Sequence, residues 1–222
     1  FIFFHLSRYE EYLNHEVDQH GRFQYKNSIL SKTNVSSVLN LPQVDILVQQ
    51  FAEKLSQYTH QTIQVLNSDL PSVCPSIDID SVFAYKGRPI IRHIGAMLKD
   101  LFKLRWHEIS KRLSVLAKTT KDPNDNFDYQ LQILSNTQAH YFIQCGPYGQ
   151  FDKNIALSNS EFQSIIRQLI QHGHVIGLHP SYSSDSDPDK IKREKELLEK
   201  TFQIEVKNSR QHFLKMRLPQ TY

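Results

Sequence analysis

The chain is poor in cysteine and in long apolar runs. Its 222 residues include two cysteines, Cys74 and Cys145, with no CxxC spacing between them. Two such cysteines build no disulfide framework, so we predict two buried and unreactive thiols. No stretch approaches the ~20 consecutive apolar residues that a membrane-spanning helix requires. These scarcities argue against a disulfide-stapled secreted module and against a membrane-spanning protein.

An excess of charge of one sign is also missing. The chain carries 26 lysine and arginine residues against 23 aspartate and glutamate residues, for a formal net charge of +3. This balance is too even to indicate nucleic-acid binding, and we predict no nucleic-acid partner. A hydrophobic content of 39% and a charged content of 22% are typical of a folded globular protein. The eleven histidines leave metal binding and acid–base chemistry open.

The two ends of the chain carry no signal of their own. The opening FIFFHLSRYEEYL is apolar for four residues and then charged, which is not the pattern of a secretory signal. The chain begins with phenylalanine rather than methionine and stops at LPQTY without a terminating element. We therefore expect an internal piece of a longer protein, and the sequence leaves its compartment open.

Helix and strand patterns divide the chain in two. We predict that residues 1–70 form a lead-in of loops with one helix, whose apolar spacing starts after Pro42. Residues 71–222 carry a strand that ends in SIDIDS, a helical stretch over 90–117, and then three strands separated by helices. The sequences of these three strands are AHYFIQCG, HVIGLHP and IEVKNSRQHFL. Strands that alternate with helices predict an α/β fold with a parallel sheet covered by helices.

Polar residues follow three of the predicted strands. Asp78 and Asp80 end the first, His179 follows another, and Arg210 and His212 close the last. Because the carboxyl ends of parallel strands meet at one edge of a sheet, we expect these side chains to lie close together. Carboxylates and imidazoles together are typical ligands of a divalent metal, with zinc the first choice. A metal-bound water releases its proton easily and a nearby carboxylate can accept it, which predicts metal-assisted hydrolysis of an amide or ester.

Each of these residues also has a purely structural explanation. An aspartate pair at a strand end often caps a loop, and a histidine before proline can bind a backbone carbonyl. An arginine on the surface can pair with any carboxylate and contribute little. The coincidence of three clusters at three strand ends is what favours a functional site.

Several motifs of the chain resemble the polysaccharide deacetylase family, the NodB-homology carbohydrate esterases, and in particular a divergent bacterial branch of it. The resemblance covers essentially the whole chain and rests on HLSRYEEYL with HGRF, SIDIDSVFAYKGR, DPNDNFD, FDKNIA, GLHPSYSS and SRQHFLKMRLPQTY. It implies a truncated (β/α) barrel with parallel strands and outer helices, with seven strands in the complete domain. It also implies a divalent metal, usually zinc, and removal of N-acetyl or O-acetyl groups from a carbohydrate substrate. In an incomplete barrel we expect the chain on its own to be inactive.

The resemblance also implies residue roles. Asp78 would be the general base and Asp80 a metal ligand, although the family's adjacent aspartate pair is split here by one residue. His179 matches the first histidine of the second family motif. The second histidine, four positions later, is Ser183 in this chain, and we predict that His212 replaces it.

The third family motif supplies an arginine that holds the catalytic aspartate. Arg210 matches it, while the Pro-Tyr pair that normally follows is absent. Near the predicted rim, Tyr85 and Tyr182 are candidates for stacking on a sugar.

Two other functions stay open. A non-catalytic carbohydrate-binding barrel would keep the aromatic rim and bind no metal. A phosphatase of the haloacid dehalogenase type would use Asp78 of the DxD sequence as nucleophile, Asp80 as acid–base and magnesium as cofactor. That class has no role for His179 or His212, which ranks it behind the deacetylase.

Overall fold

The chain folds into two compact units. The computed structural model describes residues 6–13, 16–32, 40–65, 73–216 and 218. One unit comprises Phe1–Val73 with Leu214–Tyr222, and the other comprises Cys74–Phe213. All of the residues predicted to form the site lie in the second unit.

The first unit contains one α-helix and three short 3₁₀ helices among its described residues. The helix α1 spans Gln43–Thr59 and confirms the helix predicted after Pro42. The HGRF sequence makes a turn, in which Gly21 has a φ of 75° and an antiparallel bridge joins Val17 to Phe23. The 3₁₀ helices are Tyr9–Tyr12, Tyr25–Asn27 and Ile29–Lys32.

The second unit is a small parallel sheet with helices between its strands, so the predicted α/β class is confirmed at this level. Its strands are β1 (Ser76–Ile79), β2 (His140–Ile143) and β3 (Val175–Leu178). Its helices are α2 (Ile90–Phe102), α3 (Trp106–Leu116), α4 (Phe127–Ile133), α5 (Ser160–Gln171) and α6 (Pro188–Phe202). The 3₁₀ helix Tyr182–Ser186 follows β3, and the 3₁₀ helix His212–Leu214 includes the last two residues of this unit.

The three strands pair in chain order and in a common register. Ile79 of β1 pairs with Ile143 of β2, and Ile143 pairs with Leu178 of β3. The next residues along the chain, Asp80 and His179, therefore leave the sheet at the same edge. This register places the acid of one strand and the histidine of another two strands apart at the carboxyl edge.

The core lies between the sheet and the helices α5 and α6. The strands contribute buried Tyr141, Ile143 and Leu178. Helix α5 buries Phe162, Ile165, Ile166 and Leu169, a spacing of three and four residues that forms one apolar face. The side chain of Asn159 caps this helix by accepting a hydrogen bond from the backbone N–H of Phe162 at 2.9 Å.

The strand predicted at IEVKNSRQHFL is wrong. This segment makes a single parallel bridge, Ser209 to Leu178, rather than a strand. The backbone N–H of Val206 bonds to the side chain of Glu199 instead of a neighbouring strand, and residues from His212 onwards turn into a 3₁₀ helix. Because the backbone of this segment turns away from β3 at both of its ends, the sheet has three strands among the described residues.

Two further expectations concern the helices and the thiols. The stretch 90–117 is two helices, broken where Leu104 has a φ of 53°. Both cysteines are free; Cys145 is buried as predicted, but Cys74 is exposed because it precedes β1 outside the core.

In the part of the chain that the structure describes, we find no helix with the length and apolarity to cross a membrane.

Candidate metal centre

Asp80, His179 and His212 converge at the carboxyl edge of the sheet. One potential ligand atom from each lies within 4.8 Å of the others. The Nε2 atom of His179 is 3.1 Å from Oδ1 of Asp80 and 2.8 Å from Nδ1 of His212. The third separation, from Nδ1 of His212 to Oδ1 of Asp80, is 3.5 Å. The structure thus brings together the three side chains that the sequence predicted as metal ligands.

Strand ends and one bridge bring these residues together. Asp80 follows β1 and His179 follows β3, in matching register. The segment that carries His212 lies along β3, because Leu178 donates to the carbonyl of Asn208 and accepts from the N–H of Arg210. The single bridge at Ser209 therefore positions His212 at the edge of the sheet, as a full strand was expected to do.

Backbone carbonyls fix the orientation of both imidazoles. A carbonyl can only accept, so Nδ1–H of His179 donates to the carbonyl of Arg210 at 2.5 Å. In the same way, Nε2–H of His212 donates to the carbonyl of Phe151 at 3.1 Å. In the neutral imidazoles, the remaining nitrogens, Nε2 of His179 and Nδ1 of His212, carry lone pairs. Such outer hydrogen bonds are the usual way in which proteins orient metal-binding histidines.

The resulting set of atoms needs a cation or a proton between them. Two imidazole lone pairs and one carboxylate oxygen are all acceptors, and close contact among acceptors alone is repulsive. Tetrahedral zinc with bonds of about 2.0 Å to nitrogen and oxygen separates its ligand atoms by about 3.3 Å. The three observed separations, 2.8, 3.1 and 3.5 Å, bracket this value. The donor types and their spacing fit a divalent cation.

Burial and charge favour the same occupant. The side chains of His179 and His212 are 3% and 8% exposed, whereas that of Asp80 is 57% exposed, so access from solvent lies on the Asp80 side. When a proton sits on its Nε2, His179 donates to Asp80 and lowers the pKa of that carboxyl below its ordinary value of 3.8, and burial opposes this shift only in part. Asp80 is therefore ionised near neutral pH, as a metal ligand must be.

Arg210 holds Asp78 beside this cluster. Its Nη1 donates to Oδ1 of Asp78 at 3.0 Å, and its Nη2 donates to Oγ of Ser76 at 2.6 Å. The guanidinium also lies over the ring of Phe142, 4.5 Å from the centroid. Both Asp78 and Arg210 remain about one-third exposed, so a substrate can reach the carboxylate.

The two tyrosines predicted to contact substrate lie in different surroundings. Tyr85 is 8% exposed, its hydroxyl donates to Glu108 at 3.2 Å, and Arg112 covers its ring. That burial leaves the ring of Tyr85 little surface with which to stack on a sugar. Tyr182 packs against Phe151, with ring centroids 4.2 Å apart, in an aromatic cluster that reaches His212 through Phe213.

Sequence reasoning missed the residues that support the site. One of them is Asp152, which is buried in the QCGPYGQFDKN loop after β2. Oδ1 of Asp152 accepts from Nε2 of Gln144 at 2.7 Å and from the backbone N–H of Tyr182 at 2.9 Å. These bonds fix the loop whose Phe151 carbonyl orients His212. A lone aspartate between phenylalanine and lysine gives no sequence signal of this role.

A second buried pair fixes the turn after His179. The hydroxyl of Ser181 donates to Oε1 of Glu194 at 2.5 Å, and its backbone N–H donates to Oε2 at 2.9 Å. The neighbouring Gly146 has no room for a side chain, since an added Cβ would lie 2.6 Å from Cβ of Ser181. Helix α6 thereby fixes the path of the chain that leaves β3.

Comparison with known proteins assigns no activity to this site. A family model described as "Family of unknown function (DUF7033)" matches residues 1–60 of the chain. That match ends before β1 and includes none of the site residues. No curated protein and no solved structure matched the chain.

Proposed function

We propose that this protein is a metal-dependent hydrolase that removes N-acetyl, or O-acetyl, groups from a carbohydrate. It would be a polysaccharide deacetylase-like enzyme that acts on C–N bonds other than peptide bonds, with zinc as its metal. The observation that carries the proposal is the convergence of three ligand atoms from Asp80, His179 and His212, separated by 2.8 to 3.5 Å. The motifs that resemble the deacetylase family give the substrate class.

The fold is compatible with this proposal. Three parallel strands in chain order, with helices between them, form the arrangement with which a (β/α) barrel begins. In such folds the reactive groups collect at the carboxyl ends of the strands, where Asp80 and His179 lie. A truncated barrel is therefore our proposal for the architecture of the complete domain.

The chain's own residues divide the work of hydrolysis. Asp80, His179 and His212 would hold the cation, which when bound would lower the pKa of a water and polarise the acetyl carbonyl. The carboxylate of Asp78 would accept the proton that this water releases. Arg210 would orient that carboxylate through its contact at 3.0 Å.

Two observations count against the phosphatase. In that class Asp78 would attack phosphorus, which requires its carboxylate to face the substrate without the permanent arginine partner it has here. The buried histidine pair would also be left without a role. If the test described next detects no hydrolysis, it would favour a non-catalytic sugar-binding barrel.

The test is acetate release from an N-acetylated oligosaccharide by the zinc-supplied gene product. Asp78→Asn removes the base and lowers the rate by a factor on the order of 10² to 10⁴, with zinc content unchanged. Arg210→Ala displaces the base and lowers the rate about a hundredfold, again with zinc retained. Matched controls are Asp128→Asn, on the exposed side of α4, and Arg193→Ala, on the exposed side of α6.

Retention of the wild-type rate by Asp78→Asn would remove Asp78 from the mechanism. A zinc-loaded full-length protein that releases no acetate from any N- or O-acetylated sugar would overturn the proposal.

A further inference from the structure

A cleft of about 380 Å³ opens beside the acid pair. Asp78 and Asp80 both line it, together with residues of the loop before α4 and of α4 itself. Its volume falls within the range of about 300–1,000 Å³ that small-molecule sites occupy. The cleft is therefore large enough for a ligand, and it begins at the residues to which we assign the reaction.

Amide side chains form a wall of this cleft. Asn124, Asn126 and Gln130 line the cleft. Nδ2 of Asn124 donates to the carbonyl of Ser81 at 3.1 Å, and Nε2 of Gln130 donates to Oδ1 of Asn126 at 2.7 Å. In the part of the chain that the structure describes, no hydrogen bond engages Oδ1 of Asn124 or Nδ2 of Asn126. The wall thus presents one neutral acceptor and one neutral donor.

The charge of the cleft selects against anions. None of the described residues that line it is lysine, arginine or histidine, while two carboxylates stand at one end. Asp78 is already paired with Arg210 and Asp80 with the two histidines, so the described lining offers no free cation to hold a phosphate or a carboxylate ligand. Ile77 and Pro123 add apolar surface between the polar groups. A lining of neutral amides and apolar residues, without a cation, suits a neutral ligand with several hydroxyl groups.

We infer that this cleft is the binding site for one N-acetylated sugar residue, with Asn124, Asn126 and Gln130 as its recognition wall. Sugar hydroxyls both donate and accept, which matches the acceptor of Asn124 and the donor of Asn126. A sugar held here lies against Asp78, the proposed base. The inference deepens the proposed function and rests on it for the acetyl group, but the binding itself does not require a metal.

Another large cleft of this unit offers no such match. It has about 440 Å³ and lies between the Cys145–Ser158 region and helices α5 and α6. None of the predicted site residues lines it. A ligand bound there would contact neither aspartate of the acid pair. We therefore do not propose this cleft as the sugar site.

The experiment measures the binding of N,N′,N″-triacetylchitotriose to the zinc-supplied protein by saturation-transfer NMR and titration. Asn126→Ala removes the free donor, and Gln130→Ala removes the contact that orients it. Each variant is expected to weaken binding about threefold to tenfold. Gln132→Ala is the matched control, since Gln132 is an exposed glutamine of the same helix that does not line the cleft. Zinc content is measured on the same samples.

The outcomes separate the cleft from the metal centre. Weaker binding by both test variants, with zinc content and Gln132→Ala unchanged, supports the cleft. Wild-type affinity in both test variants, or no binding by a zinc-loaded protein, overturns it and leaves the metal centre standing. Sugar binding that depends on Asn126 in a protein that takes up no zinc supports the cleft and overturns the hydrolase.

Discussion

Two backbone carbonyls determine what the buried histidines can do. The carbonyl of Arg210 holds Nδ1–H of His179, and the carbonyl of Phe151 holds Nε2–H of His212. Each neutral ring must then present its other nitrogen as an acceptor towards Asp80. A surface histidine pair would be free to rotate away from such a contact, but these rings are nearly inaccessible to solvent. The fixed tautomers, more than the proximity, are what give the site its preference for a cation.

Asp122 offers a test of the structure at the scale of one residue. Its carboxylate is buried and accepts backbone N–H bonds from Ala84, Tyr85, Lys86 and Asn124 at 2.7 to 3.1 Å. Burial raises the pKa of this carboxyl, but the four bonds outweigh it, and the net pKa lies below 3.8. We expect Asp122→Asn to lower the free energy of unfolding by about 2 kcal/mol near pH 7, measured by urea denaturation.

The pH dependence of that effect has a defined sign. Because the folded-state pKa of Asp122 is depressed, its stabilisation is complete above pH 3.8 and is lost as the pH falls through the folded-state pKa. The difference between wild type and Asp122→Asn should therefore shrink below pH 3.8. Asp128→Asn, which alters an exposed carboxylate, should change stability by less than about 1 kcal/mol. A difference that grows with acid would contradict the assignment.

At this scale the sequence predicted the residues with clear strand-end positions and missed those with distant partners. Asp80 and His179 follow apolar runs, so their shared edge could be inferred from the alternation of strands and helices. Asp122 stands in a DPND turn and looks like an ordinary turn former, yet it binds backbone 36 to 38 positions earlier in the chain. Nothing local distinguishes such an aspartate from a solvated one.

Among the elements, β3 and the segment beside it decide the geometry of the site. An added Cβ on Gly177 would lie 2.7 Å from the ring of Phe142 and 3.0 Å from the carbonyl of Asn208. The missing side chain is what lets the 208–212 segment lie against β3. The sequence predicted this neighbourhood but assigned a whole strand to it, because alternation in IEVKNSRQHFL resembles a strand. The bond from Val206 to Glu199 that diverts the backbone is not visible in the alternation.

Gly177→Ala tests this arrangement. We expect the variant to lower the free energy of unfolding by about 1–3 kcal/mol through overpacking, and to weaken zinc binding by displacing His212. The control is Gly95→Ala in helix α2, where an added Cβ meets nothing within 4 Å. That helical substitution should stabilise the protein by about 0.5–1 kcal/mol. Chemical denaturation and zinc titration measure both effects, and an unchanged Gly177→Ala would contradict the close packing.

At the scale of the whole molecule, the reactivity of the two cysteines tests how tightly the second unit is packed. Burial, with a smaller effect from Glu194, raises the pKa of Cys145 to about 12, whereas Cys74 is exposed. Since the thiolate is the reactive form, we expect one thiol per chain to react rapidly with 5,5′-dithiobis(2-nitrobenzoate) in the folded protein. Two should react in guanidinium chloride, and Cys74→Ser should abolish the rapid phase. Two rapid thiols in the folded protein would contradict the burial of Cys145.

The fold class could be predicted from the sequence, while the number of paired strands could not. Alternating strands and helices predicted a parallel α/β sheet, because the apolar runs and their spacing are set by local sequence. How many strands pair depends on contacts between distant segments, as the single bridge at Ser209 illustrates. The strand-end positions predicted the two aspartates and the two histidines, and the resemblance to deacetylases added the roles of Asp80 and His179, with His212 predicted in place of the histidine that Ser183 replaces.

The zinc content of the protein decides between a metal centre and a purely structural cluster. Elemental analysis of the zinc-supplied protein should find about one zinc per chain, and His179→Ala and His212→Ala should each lose it. His107→Ala, which changes an exposed histidine of α3, should retain it. A protein that binds no zinc, or one in which both site variants keep it, would contradict the metal centre. In that case the convergence of Asp80, His179 and His212 would be structural.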